Sequence, residues 1–364
     1  MISIRLFYSL VVLSLVTVPS AQAVTTPAEK VKQPLPGIQR ELDLRADIHQ
    51  QIETAWRESD FKTLDAMGED FALHHSKTPS GLWKLDIYFD TLTGLAHIEW
   101  PKKWAPVKRR DCNCVATDPV HYAEGDKRWA VLDAKLAAWT QRYPQSIVAP
   151  LVRIHYLINR AWFYRGSDYA DKVAPQAWPR FRHYIGEADN VLKSYESIRY
   201  KNPAWYGAAA MIAVVNDWPQ ADRERLYDDM AAHGQLYTPA FLSAAGFLKP
   251  QWNGKSIDIH WLIEKAMYHA SEEDGLEFYT RFYWALVSNA QPGQQYANWE
   301  PMSDGFDILL KRYPDPLNVA GAAQMACIYE DQSRFEQAIQ QLGESERYHG
   351  KPLSSVDCDK IYYR

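Results

Sequence analysis

Three acidic side chains in the last quarter of the chain have a spacing suited to acid–base chemistry. Glu300, Asp304 and Asp307 follow one another at intervals of four and three residues, so on a helix they share one face. Two carboxylates at the base of an aromatic cleft can cleave a glycosidic bond. The 14 Trp and 22 Tyr residues could line such a cleft, although a large helical protein also needs aromatic residues for packing. A glycan hydrolase or lyase built on a helical toroid is therefore an alternative function.

A second candidate is the basic and aromatic segment WPKKWAPVKRR at 100–110. Five positive charges and two tryptophans are interleaved there, a composition that fits an anionic envelope surface or an acidic partner. A solvated loop beside a helix end is the simpler alternative. The candidate partner-binding residues of this segment are Trp100, Lys102, Lys103, Trp104, Lys108, Arg109 and Arg110.

Four arginines between 160 and 182 form the third candidate. The guanidinium group binds a carboxylate through two parallel hydrogen bonds, so these residues are predicted to contact an acidic peptide or protein. For Arg165 the alternative is an internal bond between helix ends. The four residues are Arg160, Arg165, Arg180 and Arg182.

The four cysteines point to disulfide chemistry in an exported chain. Cys112 and Cys114 are separated by one residue, so we expect one of them to bond to Cys358. Cys327 lies in a helix of small residues and is predicted to be a buried free thiol. The Cys-x-Cys pair lacks a nearby third ligand, so no metal site is predicted.

The sequence contains none of the usual signatures of enzyme cofactors. There is no phosphate-binding loop, no dinucleotide fingerprint, no His-Glu-x-x-His and no nucleophile elbow. His155 lies within an apolar stripe and is predicted to be a core histidine. We therefore predict no cofactor, and an enzyme is the less favoured interpretation.

The first 23 residues predict export. One arginine precedes an apolar run from Leu6 to Val18, and Ala21-Gln22-Ala23 matches a signal-peptidase site with cleavage after Ala23. A retained membrane anchor is the alternative. Export places the chain in the periplasm or outside the cell. The formal charge of −5 argues against a nucleic-acid binder, which usually has a basic face.

Nearly the whole chain has helical periodicity. Trp129, Leu132, Leu136, Trp139 and Tyr143 recur at spacings of three and four, and no run alternates apolar and polar residues. They predict a helix at 126–143, which follows a long loop predicted at 99–125. Further helices are predicted at 46–59, 60–75, 80–98, 146–165, 178–198, 257–269, 301–312 and 316–330.

Proline and a capping residue separate neighbouring helices at two Arg-Tyr-Pro joints. Pro144 ends one helix and Ser146 caps the next, while Asp315 and Pro316 open a helix after the second joint. Such short joints favour helical hairpins. The small residues Ala320, Ala323 and Ala326 would allow a partner helix to approach closely.

These patterns predict an all-α fold, an irregular helical-hairpin array of the tetratricopeptide type (an α-solenoid) with an N-terminal helical cap. The predicted organisation is a signal peptide at 1–23, an extended leader at 24–40, a helical cap and long loop at 41–119, a helical-repeat domain at 120–345 and a tail at 346–364.

Three segments resemble a bacterial family of domains of unknown function, number 4034. They are the stretch ending in Ala161-Trp162-x-x-Arg165-Gly166, the turn Leu248-x-Pro250-x-Trp252-x-Gly254, and the small-residue helix that ends in Ala326-Cys327 before Asp331. Lys255 departs from the family's turn by separating Gly254 from Ser256. The resemblance covers about 120–345 and implies a helical-repeat character without an assigned reaction.

The predicted function is therefore an exported scaffold that binds a protein or peptide in the cell envelope. Its binding surface would combine aromatic anchors with arginine donors.

Overall fold

The computed structural model describes residues 36–96, 119–166, 170, 173–248, 259–288 and 297–342. Within these ranges the chain is helical and contains no strand, and an isolated bridge joins Lys77 to Trp83. The all-α prediction is confirmed. No helix in the same ranges is long and apolar enough to cross a membrane.

Fourteen α-helices follow one another in the described ranges, with a short 3-10 helix at Glu196–Tyr200 between the sixth and the seventh. In chain order they are α1 (Pro36–Glu58), α2 (Phe61–Leu73), α3 (Lys84–Leu95), α4 (Pro119–Arg142), α5 (Ala149–Arg165), α6 (Ala177–Ser194), α7 (Ala204–Val215), α8 (Gln220–His233), α9 (Thr238–Phe247), α10 (Ile259–Tyr268), α11 (Glu272–Ser288), α12 (Trp299–Arg312), α13 (Pro316–Ile328) and α14 (Gln332–Leu342).

The helix boundaries follow from local chemistry. Ser146 Oγ accepts hydrogen bonds from the backbone N–H groups of Val148 and Ala149, at 3.1 and 2.9 Å, and so satisfies donors that α5 leaves open at its start. Asp315 does the same for Leu317 at 2.9 Å, with Pro316 in the first position of α13. The capping roles predicted for Ser146 and Asp315 are confirmed.

Two predicted boundaries differ from the structure. Helix α1 begins at Pro36, so residues 36–40 are helical and do not belong to an extended leader. Helix α4 begins at Pro119, so the end of the predicted long loop, up to 125, is helical as well. Proline in the first turn explains both shifts, because its fixed φ suits a helix start and its missing N–H costs no hydrogen bond there.

The described residues divide into two compact units. The first comprises 45–78 and 82–275, and the second comprises 36–44, 79–81 and 276–342. In the first unit α5 packs on α4 and α6, α7 packs on α9, and α8 packs on α10. Its core contains several buried tryptophans, among them Trp139, whose Nε1 donates to Asp65 at 3.0 Å.

The second unit has a core of small and aromatic residues. Helix α13 packs against α12 and α14, and its residues Ala320, Ala323 and Ala326 are buried against Phe335 and Ala338. Small side chains on α13 allow this close approach, as the sequence predicts.

A buried polar network also lies within the second unit. Glu277 accepts hydrogen bonds from Arg281 Nε at 2.9 Å and from Arg312 Nη1 at 3.0 Å. Ser80 donates from its backbone N–H and its hydroxyl to Glu41, and its carbonyl accepts from Arg281 and Asn318 at 2.9 and 3.0 Å. Partners of opposite charge offset the cost of burying these groups.

Gly81 is required beside this network for two reasons. Its φ of +81° is a region that residues with a Cβ rarely adopt, and a Cβ there would lie 2.0 Å from Arg281 Nη2. The glycine therefore leaves room for the guanidinium group to reach the Ser80 carbonyl.

The prediction that Cys327 is a free thiol is wrong. Its side chain is buried in α13, as expected, but its sulfur is disulfide-bonded. The other three cysteines, Cys112, Cys114 and Cys358, lie outside the described residues, as does the predicted cleavage site at Ala23.

Candidate functional site

Five planar side chains from three helices form a continuous stack in the first unit. The Arg180 guanidinium lies 4.8 Å from the Tyr164 ring centroid, and Tyr164 stacks on Tyr184 with centroids 5.5 Å apart and an interplanar angle of 16°. Arg160 follows at 4.2 Å from the Tyr184 ring and 6.0 Å from the ring of Trp129. We name this set the arginine–tyrosine stack.

Helical spacing places these residues together. On α5 the stack residues Arg160 and Tyr164 are four residues apart and therefore lie on one face, which Tyr156 extends by one turn. Helix α4 contributes Trp129 from one side, and α6 contributes Arg180 and Tyr184 from the other, because α5 packs against both helices. Two of the arginines predicted as binding residues, Arg160 and Arg180, are thus brought together.

Two carboxylates of α4 neutralise the arginines of the stack. Arg160 Nη1 donates to Asp133 Oδ2 at 2.7 Å, and Arg180 Nη1 donates to Asp126 Oδ2 at 3.0 Å. The Tyr164 hydroxyl also donates to Asp126, and burial raises the pKa of Tyr164. The two arginines hold both carboxylates in fixed positions, and the side chains of Asp126 and Asp133 remain part-exposed.

The other two predicted arginines are placed differently. Arg165 is buried at the end of α5, where its Nη1 donates to the Gly166 carbonyl at 3.0 Å and its guanidinium lies over the rings of Trp162 and Trp178. This is the internal role that the sequence offered as its alternative. Arg182 is exposed on α6, about 200° around the helix from Arg180. The basic segment at 100–110 lies outside the described residues.

The acidic residues of the glycosidase alternative do not form an enclosed pair. Glu300, Asp304 and Asp307 are all exposed on α12. Asp307, with 62% of its side chain exposed, accepts two parallel hydrogen bonds from Arg334, at 2.7 and 3.0 Å. That alternative requires two carboxylates at the base of one aromatic cleft, and these positions do not supply them.

A different acid pair, not recognised in the sequence, lies on α3. Asp86 and Asp90 are one helical turn apart, and α1 places Arg45 and His49 beside them. Loss of solvation and the neighbouring Asp90 raise the pKa of Asp86 to about 7, against the opposing effect of Arg45. Asp86 is nevertheless an exposed residue.

A carboxyl with the pKa of Asp86 can exchange a proton near neutral pH, which is a property of acid–base catalysts. The sequence signal was the four-residue spacing of Asp86 and Asp90, which Gly94 continues by one helical turn. A Cβ added at Gly94 would meet no atom within 4 Å, so there is open space beside that position.

In the described part of the chain, no group of three or more His, Cys, Asp or Glu residues is arranged to hold a metal ion.

The raised pKa of Asp86 predicts a specific pH dependence of stability. Because the folded-state pKa, about 7, exceeds the ordinary value of 3.8, the folded protein loses stability as pH rises from about 4 through 7. Asp86→Asn keeps the uncharged form and is expected to raise the melting temperature at pH 8 but not at pH 4. Thermal unfolding at the two pH values measures this, and an equal effect at both would contradict it.

His155 occupies the core position that the sequence predicts. It is buried on α5 with its ring 5.8 Å from that of Phe89, and burial lowers its pKa to about 4. The imidazole is therefore uncharged at neutral pH and packs on Phe89 within the core.

Comparisons with protein-family models, with curated proteins and with solved structures find no match to this chain. The resemblance drawn from the sequence motifs therefore remains a prediction.

Proposed function

We propose that the chain is a scaffold of the cell envelope that binds a protein or peptide through the arginine–tyrosine stack. The observation that carries the proposal is the stack itself, in which five planar groups from α4, α5 and α6 are fixed by mutual contact. Trp129 and Tyr164 are buried and support the part-exposed Arg160, Arg180 and Tyr184, which face the partner. Arginine, tyrosine and tryptophan dominate the energetics of protein interfaces, and a pre-ordered set loses little conformational entropy on binding.

The charges of the stack indicate the chemistry of the partner. Arg160 and Arg180 already donate to Asp133 and Asp126, so an acidic partner would have to displace these carboxylates. The part-exposed carboxylates can accept further hydrogen bonds, since each oxygen has two lone pairs. A segment that offers lysine, arginine or backbone N–H donors beside an aromatic or aliphatic side chain therefore fits the stack better than an acidic one.

The wider helical-hairpin array belongs to the same proposal. Helix α7 packs on α9 and α8 packs on α10, so each helix contacts the one that follows two positions later in the chain. This packing supports a stacked arrangement of hairpins. Export rests on the N-terminal sequence, which has the charge, apolar run and small-residue site of a signal peptide.

The experiment is quantitative affinity capture from cell-envelope extract with the chain from residue 24 onwards, followed by mass spectrometry of bound protein and glycan. A partner recovered with the wild type is expected to be lost with Arg180→Ala. Removing an interface arginine typically costs about 2 kcal/mol of binding free energy, which corresponds to a decrease in affinity of roughly thirtyfold.

Arg182→Ala is the matched control, because it removes an exposed arginine from the same helix and a different face. Equal recovery with both variants would show that the partner does not use the stack. Recovery of shortened glycan without any protein partner would overturn the scaffold function and favour an enzyme.

A further inference from the structure

An exposed tyrosine in the first unit is surrounded by polar side chains. Tyr200 ends the 3-10 helix and is 51% exposed, which would be ordinary for an isolated surface residue. Arg199 precedes it in the 3-10 helix, and Asp229 and His233 lie one turn apart on α8. All three contact or approach the tyrosine. We name these four residues the Tyr200 cluster.

Asp229 is the hydrogen-bond acceptor of the cluster. Its Oδ2 atom accepts from the Tyr206 hydroxyl of α7 at 2.8 Å and lies 2.9 Å from Arg199 Nε. Its Oδ1 atom lies 3.5 Å from the Tyr200 hydroxyl and 3.9 Å from His233 Nε2, distances at or beyond the limit of a hydrogen bond. One carboxylate oxygen is therefore satisfied within the protein, whereas the other can accept a further hydrogen bond.

The spacing around Asp229 Oδ1 fits a hydroxyl group of a ligand. Because this atom and His233 Nε2 are 3.9 Å apart, an oxygen at about 2.8 Å from each can bridge them. A hydroxyl group both donates and accepts, so it can donate to the carboxylate while it accepts from the imidazole or from the Tyr200 hydroxyl. Tyr200 and His233 are both more than half exposed, so a ligand can reach this position.

The charges of the cluster disfavour ligands of either sign. The Arg199 guanidinium lies 4.7 Å from the Tyr200 ring centroid, so a cation of the protein already takes the position that a cationic ligand would use. An anionic ligand would meet the carboxylate of Asp229 and that of Glu196, which also pairs with Arg199. A neutral ligand with hydroxyl groups and an apolar face fits the cluster better, because the apolar face can pack on the open part of the tyrosine ring.

The turn after α8 holds the cluster in place before a ligand binds. Gln235 and Leu236 have φ values of +55° and +52°, in the left-handed region that residues with a Cβ seldom adopt. Gln235 Nε2 donates to the Tyr200 carbonyl oxygen at 3.4 Å, and the His233 and Tyr200 rings meet edge to face with centroids 5.4 Å apart. Such backbone conformations persist where the surrounding contacts enforce them, and they are concentrated at ligand sites.

We propose that the Tyr200 cluster binds a neutral sugar. One face of the sugar ring packs its C–H groups on the Tyr200 ring, and one sugar hydroxyl donates to Asp229 Oδ1 and accepts from His233 or Tyr200. The cluster lies on the 3-10 helix and α8, so this proposal does not depend on the partner of the arginine–tyrosine stack. A ligand with one aromatic contact and few hydrogen bonds is expected to bind with a millimolar dissociation constant.

The test is saturation-transfer NMR on the chain from residue 24 onwards with a fixed panel of tetrasaccharides. The neutral members are built from glucose, galactose, mannose or N-acetylglucosamine, and the charged members from glucosamine or galacturonic acid. At least one neutral member is expected to bind at concentrations up to about 10 mM, with the strongest saturation on its ring C–H protons. Absence of binding by every neutral member, or tighter binding of a charged member, would refute the proposal.

Substitutions of exposed residues locate the bound sugar while leaving the core intact. Tyr200→Ala should raise the dissociation constant at least about tenfold and His233→Ala about fivefold, whereas Tyr200→Phe keeps the ring and should raise it no more than about threefold. Tyr268→Ala is the matched control, because it removes an exposed tyrosine from α10 and should leave the constant unchanged. Equal binding by the wild type and Tyr200→Ala would show that the sugar binds elsewhere and would overturn the assignment.

Discussion

Glu277→Ala is expected to lower the free energy of unfolding by about 3–5 kcal/mol, the usual cost of removing one partner from a buried ion pair. Glu277 is buried between Arg281 and Arg312 and accepts a hydrogen bond from each. Without it, Arg281, which is only 7% exposed, keeps its charge while losing its nearest anion. Burial already lowers the pKa of Arg281, and a guanidinium group stays protonated at any physiological pH.

The chain offers an exposed arginine–carboxylate pair as a matched control. Asp307 accepts two hydrogen bonds from Arg334 at distances similar to those of the buried pair, but most of its side chain is exposed. Asp307→Ala should therefore cost about 1 kcal/mol or less. Urea denaturation of the two variants makes the comparison, and similar losses of stability would show that the network around Glu277 is more hydrated than the structure indicates.

Gly305→Ala is expected to have the second largest effect, a net loss of about 2 kcal/mol. A Cβ at this position of α12 would lie 2.0 Å from Thr280 Oγ1 and 2.2 Å from the Leu276 carbonyl oxygen. The carbonyl belongs to the backbone of α11, so relief requires the helix itself to move. Overpacking of this kind costs about 3 kcal/mol, and the better helix propensity of alanine returns at most about 1 kcal/mol.

Gly186 provides the opposite outcome in the same kind of element. It lies within α6, and a Cβ there would meet no atom within 4 Å. Gly186→Ala should therefore stabilise the protein by about 0.5–1 kcal/mol through helix propensity alone. Thermal unfolding of the two variants should show shifts of opposite sign. Stabilisation by both substitutions would mean that α12 is not tightly packed against α11.

The helices could be predicted because their signals are local. Apolar residues at spacings of three and four define the buried face of α4, and the caps at Ser146 and Asp315 fix two helix starts within a few residues of sequence. The start of α1 could not be placed in the same way, because Pro36 is compatible both with an extended leader and with the first turn of a helix.

The candidate sites could be predicted only in part, because they depend on which helices meet. Arg160 and Arg180 were recognisable as donors, but their pairing with Asp133 and Asp126 spans 27 and 54 residues of sequence. The raised pKa of Asp86 arises from its surroundings in three dimensions, including Arg45 on another helix. Residue type and spacing alone contain neither piece of information.

The contacts of Ser80 affect the order in which the two units can fold during synthesis. Its contact with Glu41 spans 39 residues, whereas its contacts with Arg281 and Asn318 span 201 and 238. At about 5–20 residues per second, a ribosome adds the residues between Ser80 and Arg281 in roughly 10–40 s. Throughout that interval the Ser80 carbonyl must remain hydrated or bind an interim partner. The second unit is therefore assembled last, and a nascent chain released before residue 281 cannot complete it.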